Sequence, residues 1–180
     1  NAQYNLGGMY QNGYGVTQDY KTALKWWRLS AEQGNANAQY NLGKMYQNGQ
    51  GVLQNYKTAV KWYRLSAEQG TAFAQYNLGQ MYIRGDGVTQ DDKTALKWYR
   101  LSAEQGDDFA QYNLSVMYGT GKGVIQDNIY AHMWANISAS SGNKNGDKVR
   151  DIIAKKMTPA DISTAQQLAR ECVEKKYKGC

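Results

Sequence analysis

The sequence predicts an all-α fold built from tandem helical hairpins. Three observations support this: a motif that recurs every 36 residues, apolar residues at helical spacing within each copy, and glycines where the chain must reverse. The motif AQYNL begins at Ala2, Ala38, Ala74 and Ala110. Residues 38–73 and 74–109 are identical at 26 of 36 positions, which identifies the chain as a tandem array.

The first helix of each repeat follows from its apolar spacing. In the second copy, Leu42, Met45 and Tyr46 fall at i, i+3 and i+4, so they share one face of a helix. Gly49 and Gly51 follow it, and glycine adopts the positive φ that a chain reversal needs at little cost. The segment therefore predicts a helix that ends in a glycine turn.

The second helix of each repeat begins after a short polar residue that can cap it. That residue is Asp19, Asn55, Asp91 or Asp127, according to the copy. In the second copy the helix then carries a stripe of small and aromatic residues, Ala59, Trp62, Tyr63 and Ala67. Such a hairpin is too small to bury its apolar face alone, so neighbouring copies are expected to pack on one another.

Charged residues on the second helices predict surface ion pairs. Arg28 and Glu32 stand at i and i+4, and the pairs Arg64/Glu68 and Arg100/Glu104 repeat the spacing. We expect these pairs to neutralise the outer face.

The repeats and the tail divide the chain into five segments. We place the repeats at residues 1–37, 38–73, 74–109 and 110–142, and two capping helices at residues 143–180. The fourth copy replaces Lys25, Arg28 and Glu32 with Met133, Asn136 and Ser140. A helix that loses its charged face is usually covered, so the tail is expected to fold over it. Because the chain opens inside a repeat, we also interpret it as a fragment or a processed form.

The combination A-Q-Y-N-L-G-x-M-Y, G-x-G-V-x-Q-D/N and A-x-K-W-Y-R-L-S-A-E-Q-G resembles the Sel1-like repeat family, which is related to the tetratricopeptide repeats. The likeness spans residues 1–142. It implies an α/α right-handed superhelical solenoid with a concave groove lined by the first helices. It also implies a non-enzymatic scaffold or adaptor that binds a protein or peptide.

Cys172 and Cys180 are the only cysteines. In one continuous helix they would lie about 12 Å apart, too far to bond, so a disulfide requires a turn between them, for which Gly179 is suited. The sequence leaves a disulfide and two free thiols open. A cysteine-rich bacterial subfamily of Sel1-like proteins joins cysteines eight residues apart, and this resemblance implies a bond and a periplasmic or secreted protein. Free thiols would instead favour the cytoplasm.

Catalytic and metal-binding roles find little support in the sequence. His132, the only histidine, occupies the position of Leu24, Val60 and Leu96, which indicates packing, and two cysteines with one distant histidine fall short of a metal site. We therefore expect no catalytic residue, metal or cofactor. β-Lactamase or penicillin-binding activity, described for some cysteine-rich relatives, remains an alternative.

Nucleic-acid binding is a second alternative. The net charge is +6, but residues 143–180 carry +4 of it and the repeats only +2. This distribution argues against a basic face along the repeats. We expect no membrane span and a monomer, although end-to-end polymers through the face around Leu6 and Met9 would indicate a purely structural role.

One polar residue recurs at the same position of every copy, as Asn5, Asn41, Asn77 and Asn113. In tetratricopeptide repeats with a similar Y-N-L-G sequence, this residue hydrogen-bonds the backbone of a bound peptide. The resemblance therefore implies a row of amides along the groove. The alternative is that each Asn bonds the backbone of a neighbouring repeat.

The remaining groove candidates provide apolar contact and charge. The tyrosines are Tyr40, Tyr76 and Tyr112, and the positions that vary between copies include Lys44 and Gln80. Lys44 and Arg84 can pair a carboxylate.

Overall fold

The computed structural model describes residues 2–180 and contains, within that range, ten helices and no strand. The helices are α1 (Ala2–Asn12), α2 (Tyr20–Glu32), α3 (Ala36–Asn48), α4 (Tyr56–Glu68), α5 (Ala72–Arg84), α6 (Asp92–Ala103), α7 (Asp108–Thr120), α8 (Asn128–Ser140), α9 (Lys144–Ala154) and α10 (Pro159–Glu174). None of them is long and apolar enough to cross a membrane.

The helices form two compact units. The first ends at Gln90, and in it each of α1 to α4 packs on the next helix. The second, Asp91–Cys180, packs α6 on α7 and α7 on α8, and α8 also contacts α9 and α10.

The predicted caps of the second helices are confirmed. Asp19, Asn55, Asp91 and Asp127 each occupy the N-cap position, and every one accepts a hydrogen bond from a backbone N–H of the first turn. Hydrogen bonds from Thr22 and from the backbone also lower the pKa of Asp19. The caps satisfy N–H groups that no earlier turn can pair.

Close approach of the two helices in a hairpin requires a glycine. A Cβ on Gly43 of α3 would lie 2.5 Å from the ring of Tyr63 in α4, and Gly7 meets Trp27 in the same way. In the fourth copy Ser115 replaces this glycine, while the aligned aromatic position holds Ala135, and both are fully buried. The small side chain of Ala135 leaves room for the serine that replaces the glycine.

The predicted Arg–Glu pairs are wrong. Within residues 2–180, the ion pairs are those of Arg150 with Asp147 and Asp151. The repeat arginines point instead to a tyrosine of the next first helix, where Arg64 Nη2 lies 2.7 Å from the hydroxyl of Tyr82. An i, i+4 surface pair gains only about 0.3–0.5 kcal/mol, so a less exposed acceptor on the neighbouring helix easily replaces it.

The tail covers α8. Helix α8 buries seven residues, Ala131–Ala135, Ile137 and Ser138, against its neighbours. Helix α10 starts with the capping box of Thr158 and Asp161, with Pro159 at its first position. Beyond α10 the chain turns back, and a disulfide joins Cys172 to Cys180.

Candidate partner-binding face

The candidate face lies on the exposed side of the first helices in the first unit. We call it the first-helix face and define it by Tyr40, Asn41 and Lys44 of α3 with Tyr76, Asn77, Gln80 and Arg84 of α5. All are half-buried except Arg84, which is exposed in the last turn of α5. The opposite sides of these helices are buried, so the hairpin packing fixes which side chains face solvent.

The aromatic part of this face is a cluster around Tyr40. The ring of Tyr40 lies 5.9 Å from that of Tyr63 and 6.2 Å from that of Phe73, and Lys44 Nζ stands 5.7 Å from its centroid. Burial raises the pKa of Tyr63, and the nearby Tyr40 adds to the effect, so Tyr63 stays neutral. Its hydroxyl donates to Gln47 Oε1 at 2.6 Å.

The recurrent asparagines differ in their hydrogen bonds. Asn77 Nδ2 donates to the carbonyl of Phe73 in its own helix at 2.8 Å. Among residues 2–180, the side chains of Asn5, Asn41 and Asn113 make no hydrogen bond. As far as residues 2–180 show, none of the four bonds the backbone of a neighbouring repeat, so the structural alternative considered for them finds no support.

Buried glutamines, rather than the asparagines, form hydrogen bonds between neighbouring repeats. Gln39 Nε2 donates to the carbonyl of Ala31 at 3.1 Å, and Gln75 Nε2 donates to that of Ala67 at 3.0 Å. Each bond joins the end of a second helix to the next first helix. The Gln in AQYNL recurs as regularly as the Asn, but recurrence alone does not show which amide faces inward.

Phe73 is an exposed aromatic that sequence reasoning missed. It is 62% exposed on α5, one turn before Asn77, and Phe109 of α7 is 54% exposed at the same repeat position. The polar Asn37 stands there in the second copy, so the available signal was a large apolar residue at a position that tolerates a polar one. On α7, Tyr112 and Asn113 are half-buried as Tyr76 and Asn77 are, whereas Asn5 of α1 is exposed.

Charge on the first helices of this unit is of one sign. Helices α1, α3 and α5 contain no Asp or Glu, and their charged residues are Lys44 and Arg84. The arrangement can hold an anionic group, and the amides beside it can donate to and accept from an extended backbone.

His132 lies buried in α8, apart from the cavities described beside that helix. His132 is 2% exposed, and its burial, with the charge of Arg150 next, lowers its pKa. The two cavities described beside α8, of about 210 and 300 Å³, are lined by other residues of that helix. Across residues 2–180, no cluster of His, Cys, Asp or Glu could hold a metal ion.

The spacing S-x-x-K occurs at Ser141 and Lys144, in the turn between α8 and α9. A serine nucleophile would need the lysine amine beside its hydroxyl. Ser141 Oγ instead donates to the carbonyl of Ile137 at 3.2 Å, and Lys144 is exposed. This spacing therefore gives no support to the β-lactamase alternative.

The geometry defines an all-α repeat protein of packed helical hairpins. The Sel1 repeat matches residues 1–35, 36–71, 72–107 and 108–143, and the chain belongs to the Sel1 repeat family. The predicted fold class, an all-α solenoid of Sel1-like hairpins, is thereby confirmed. Proteins of this family generally mediate protein–protein interactions.

Several solved structures are similar to this chain, and two of them are Sel1-type proteins from bacteria. One is a Sel1 repeat protein from Oxalobacter formigenes, with 38% identity, a TM-score of 0.80, and coverage of 83% of this chain and 61% of that one. The other is c5321, a protective antigen present in uropathogenic Escherichia coli strains, with 30% identity, a TM-score of 0.67, and coverage of 98% and 46%. The chain thus spans less than two thirds of either relative. A search of the curated proteins finds no match.

Proposed function

We propose that this chain is a non-enzymatic, monomeric scaffold that binds a protein or peptide partner on the first-helix face. The observation that carries the proposal is the Asn41 amide. It is half-buried on the face and makes no hydrogen bond within residues 2–180. A polar group in that position gains most from a partner that supplies both a donor and an acceptor, as an extended peptide backbone does.

The charge of the face favours an acidic partner segment. Lys44 and Arg84 carry the only charges on α1, α3 and α5, so an acidic side chain meets no carboxylate of these three helices. Beside them, Tyr40 and the exposed Phe73 offer apolar contact. An extended segment with acidic and apolar residues therefore fits the face better than a basic one.

The test compares the binding of fluorescent peptides to the parent chain and to a variant that lacks the two amides. In the Asn41→Ala/Asn77→Ala double variant we expect acidic peptides to bind at least tenfold more weakly, because their backbone loses two partners. Thermal unfolding should barely change, since neither amide joins neighbouring repeats. Asn145→Ala, an exposed amide on α9, is the matched control.

Charge reversal separates the partner's chemistry from the location of the site. The Lys44→Glu/Arg84→Glu variant should bind acidic peptides more weakly and basic peptides more tightly than the parent. The dependence of each peptide's affinity on salt concentration should change sign. If the amide double variant binds every peptide as tightly as the parent, the face is not the site. If the double variant unfolds, the amides are structural after all.

The disulfide supports an oxidising compartment. Cys172 is 3% exposed and bonded to Cys180, as suits a periplasmic or secreted protein. Thiol titration of denatured, unreduced protein from its natural source should find no free thiol, and two thiols per chain would assign it to a reducing compartment.

A further inference from the structure

The starting point is the basic charge of the second helices in the first unit. Residues 1–90 contain eight Lys or Arg and four Asp or Glu, whereas residues 91–142 contain four and six. The net charge of +2 over the repeats therefore averages a positive first unit with a negative segment after it. Six of the eight cations in the first unit lie on α2 and α4.

On each of these two helices, three cations share the side that faces solvent. They stand at i, i+4 and i+7, which brings them to one face of a helix, and all six are exposed. The two helices are neighbours, because Trp62 of α4 packs against the buried cluster that contains Trp27 and Ala31 of α2. We call this surface the second-helix face and define it by Lys21, Lys25 and Arg28 of α2 with Lys57, Lys61 and Arg64 of α4.

Within residues 2–180, no carboxylate forms an ion pair with these cations. Glu32 and Glu68 end the two helices, but the described ion pairs all belong to Arg150. Arg28 and Arg64 donate to neutral tyrosine hydroxyls, which leaves their charge in place. Since six cations stand against two glutamates on these helices, the face keeps a positive potential.

An exposed leucine lies beside each set of cations. Leu29 is 40% exposed and Leu65 is 37% exposed. Each follows a lysine, Lys25 or Lys61, by four positions, so its aliphatic tip neighbours the ammonium group on the helix surface. Basic helix faces with such apolar side chains are typical of proteins that adsorb to lipid headgroups, because the charge meets phosphate while the apolar tip reaches the acyl boundary.

We propose that the second-helix face adsorbs to a membrane surface rich in anionic lipids, without crossing it. Two neighbouring helices with the same set of cations present charge over an area rather than along a line, which suits a plane of lipid phosphates. The first-helix face consists of residues of α3 and α5, so lipid bound to α2 and α4 does not occupy the same side chains.

A nucleic acid matches this face less well. Single strands stack their bases on open aromatic rings, and Trp26 and Trp62 of these helices are half-buried. The planar fork of arginine recognises phosphates and base edges, but here Arg28 and Arg64 already bond tyrosine hydroxyls. The four lysines supply compact point charges, which suit a diffuse layer of headgroups.

The test measures how the chain sediments with vesicles at about 0.1 M salt, where charges within about 10 Å of each other still interact. Vesicles of phosphatidylglycerol mixed equally with phosphatidylcholine should bind the chain, and vesicles of phosphatidylcholine alone should not. The Lys25→Gln/Lys61→Gln variant should bind about thirtyfold more weakly, because each lysine near an anionic surface contributes roughly fivefold. It should melt as the parent does, since both side chains are exposed.

Two further variants separate the face from charge in general. Lys155→Gln/Lys156→Gln removes the same charge from exposed residues of the tail and should change vesicle binding less than about twofold. Leu29→Ala/Leu65→Ala keeps every charge and should still weaken binding at least about fourfold, the effect of withdrawing one methylene group from the lipid.

Three results would overturn the proposal. The first is a failure of the parent chain to sediment with the anionic vesicles. The second is an equal loss in the two lysine variants, because the tail would then attract the lipid. The third is tighter binding to double-stranded DNA or polyglutamate than to vesicles, lost in Lys25→Gln/Lys61→Gln, since the face would then bind a nucleic acid or an acidic protein.

Discussion

Two glycines in one turn test whether the inter-helix loops hold neighbouring hairpins together. Gly85 and Gly87 lie in the loop after α5, and both have positive φ, +74° and +72°. A Cβ on Gly85 would meet only ordinary contacts at 3.6 Å, whereas a Cβ on Gly87 would lie 2.4 Å from the carbonyl carbon of Tyr56 and 2.6 Å from the nitrogen of Lys57. Those atoms are backbone at the start of α4, so they cannot rotate away.

Both substitutions place alanine in the left-handed region, but only Gly87→Ala also overpacks the start of α4. Alanine in the left-handed region costs about 1–2 kcal/mol at either position. Gly87→Ala adds the overpacking against α4, about 1–3 kcal/mol. We therefore expect a loss of about 1–2 kcal/mol for Gly85→Ala and about 2–5 kcal/mol for Gly87→Ala.

Urea unfolding followed by far-ultraviolet circular dichroism measures both losses. Gly15→Ala is a further control, because Gly15 has a similar φ of +71° and a Cβ there would meet only the flexible tip of Met9 at 3.7 Å. Equal losses at Gly85 and Gly87 would refute the reasoning, since the loop would then not depend on close contact with the preceding hairpin.

Three more predictions concern other contacts. Burial, and next the charge of Arg150, lowers the pKa of His132, so the folded state resists a proton that the unfolded state takes up below about pH 6.5. The free energy of unfolding should fall by up to about 1.4 kcal/mol per pH unit on acidification from there, and His132→Leu should flatten that slope between pH 7.5 and 5.5 in calorimetry. A double-mutant cycle of Arg64→Ala and Tyr82→Phe should give a coupling of about 1 kcal/mol, and a value near zero would mean that the bond is not formed in solution. Cys180→Ser should lower the free energy of unfolding by about 2–3 kcal/mol, and dithiothreitol should lower that of the parent equally but leave the variant unchanged.

The hairpins could be predicted from the sequence because their signals are local. An acceptor at Asp19 or Asn55 and a glycine at Gly49 determine where helices begin and end through atoms at most a few residues away. Apolar spacing then fixes the buried side of each helix. Both kinds of signal are present within a single copy.

The contacts between copies could not be predicted in the same way. The spacing of Arg28 and Glu32 suggested an ion pair along one helix, but the arginine bonds Tyr46, 18 residues away. In a perfect repeat, every residue recurs together with all of its possible partners, so recurrence cannot say which pairs meet. That choice depends on how one hairpin lies on the next.

Recurrence also could not show which amide of the AQYNL motif lies on the candidate face. Gln39 and Asn41 are both amides of AQYNL and recur together, yet Gln39 is 4% exposed and joins two repeats while Asn41 is half-buried at the surface. Two positions along a helix amount to about 200° around its axis, so one amide faces the neighbouring hairpin when the other faces away. Within a single copy, no residue indicates which of the two amides faces inward.

Departures from the repeat carry the information that recurrence cannot. In the second unit, Asn136 and Met133 replace an arginine and a lysine on α8, where α9 and α10 pack. A charge buried there would have lost its hydration without gaining a partner, so the side that the tail covers had to lose its charges.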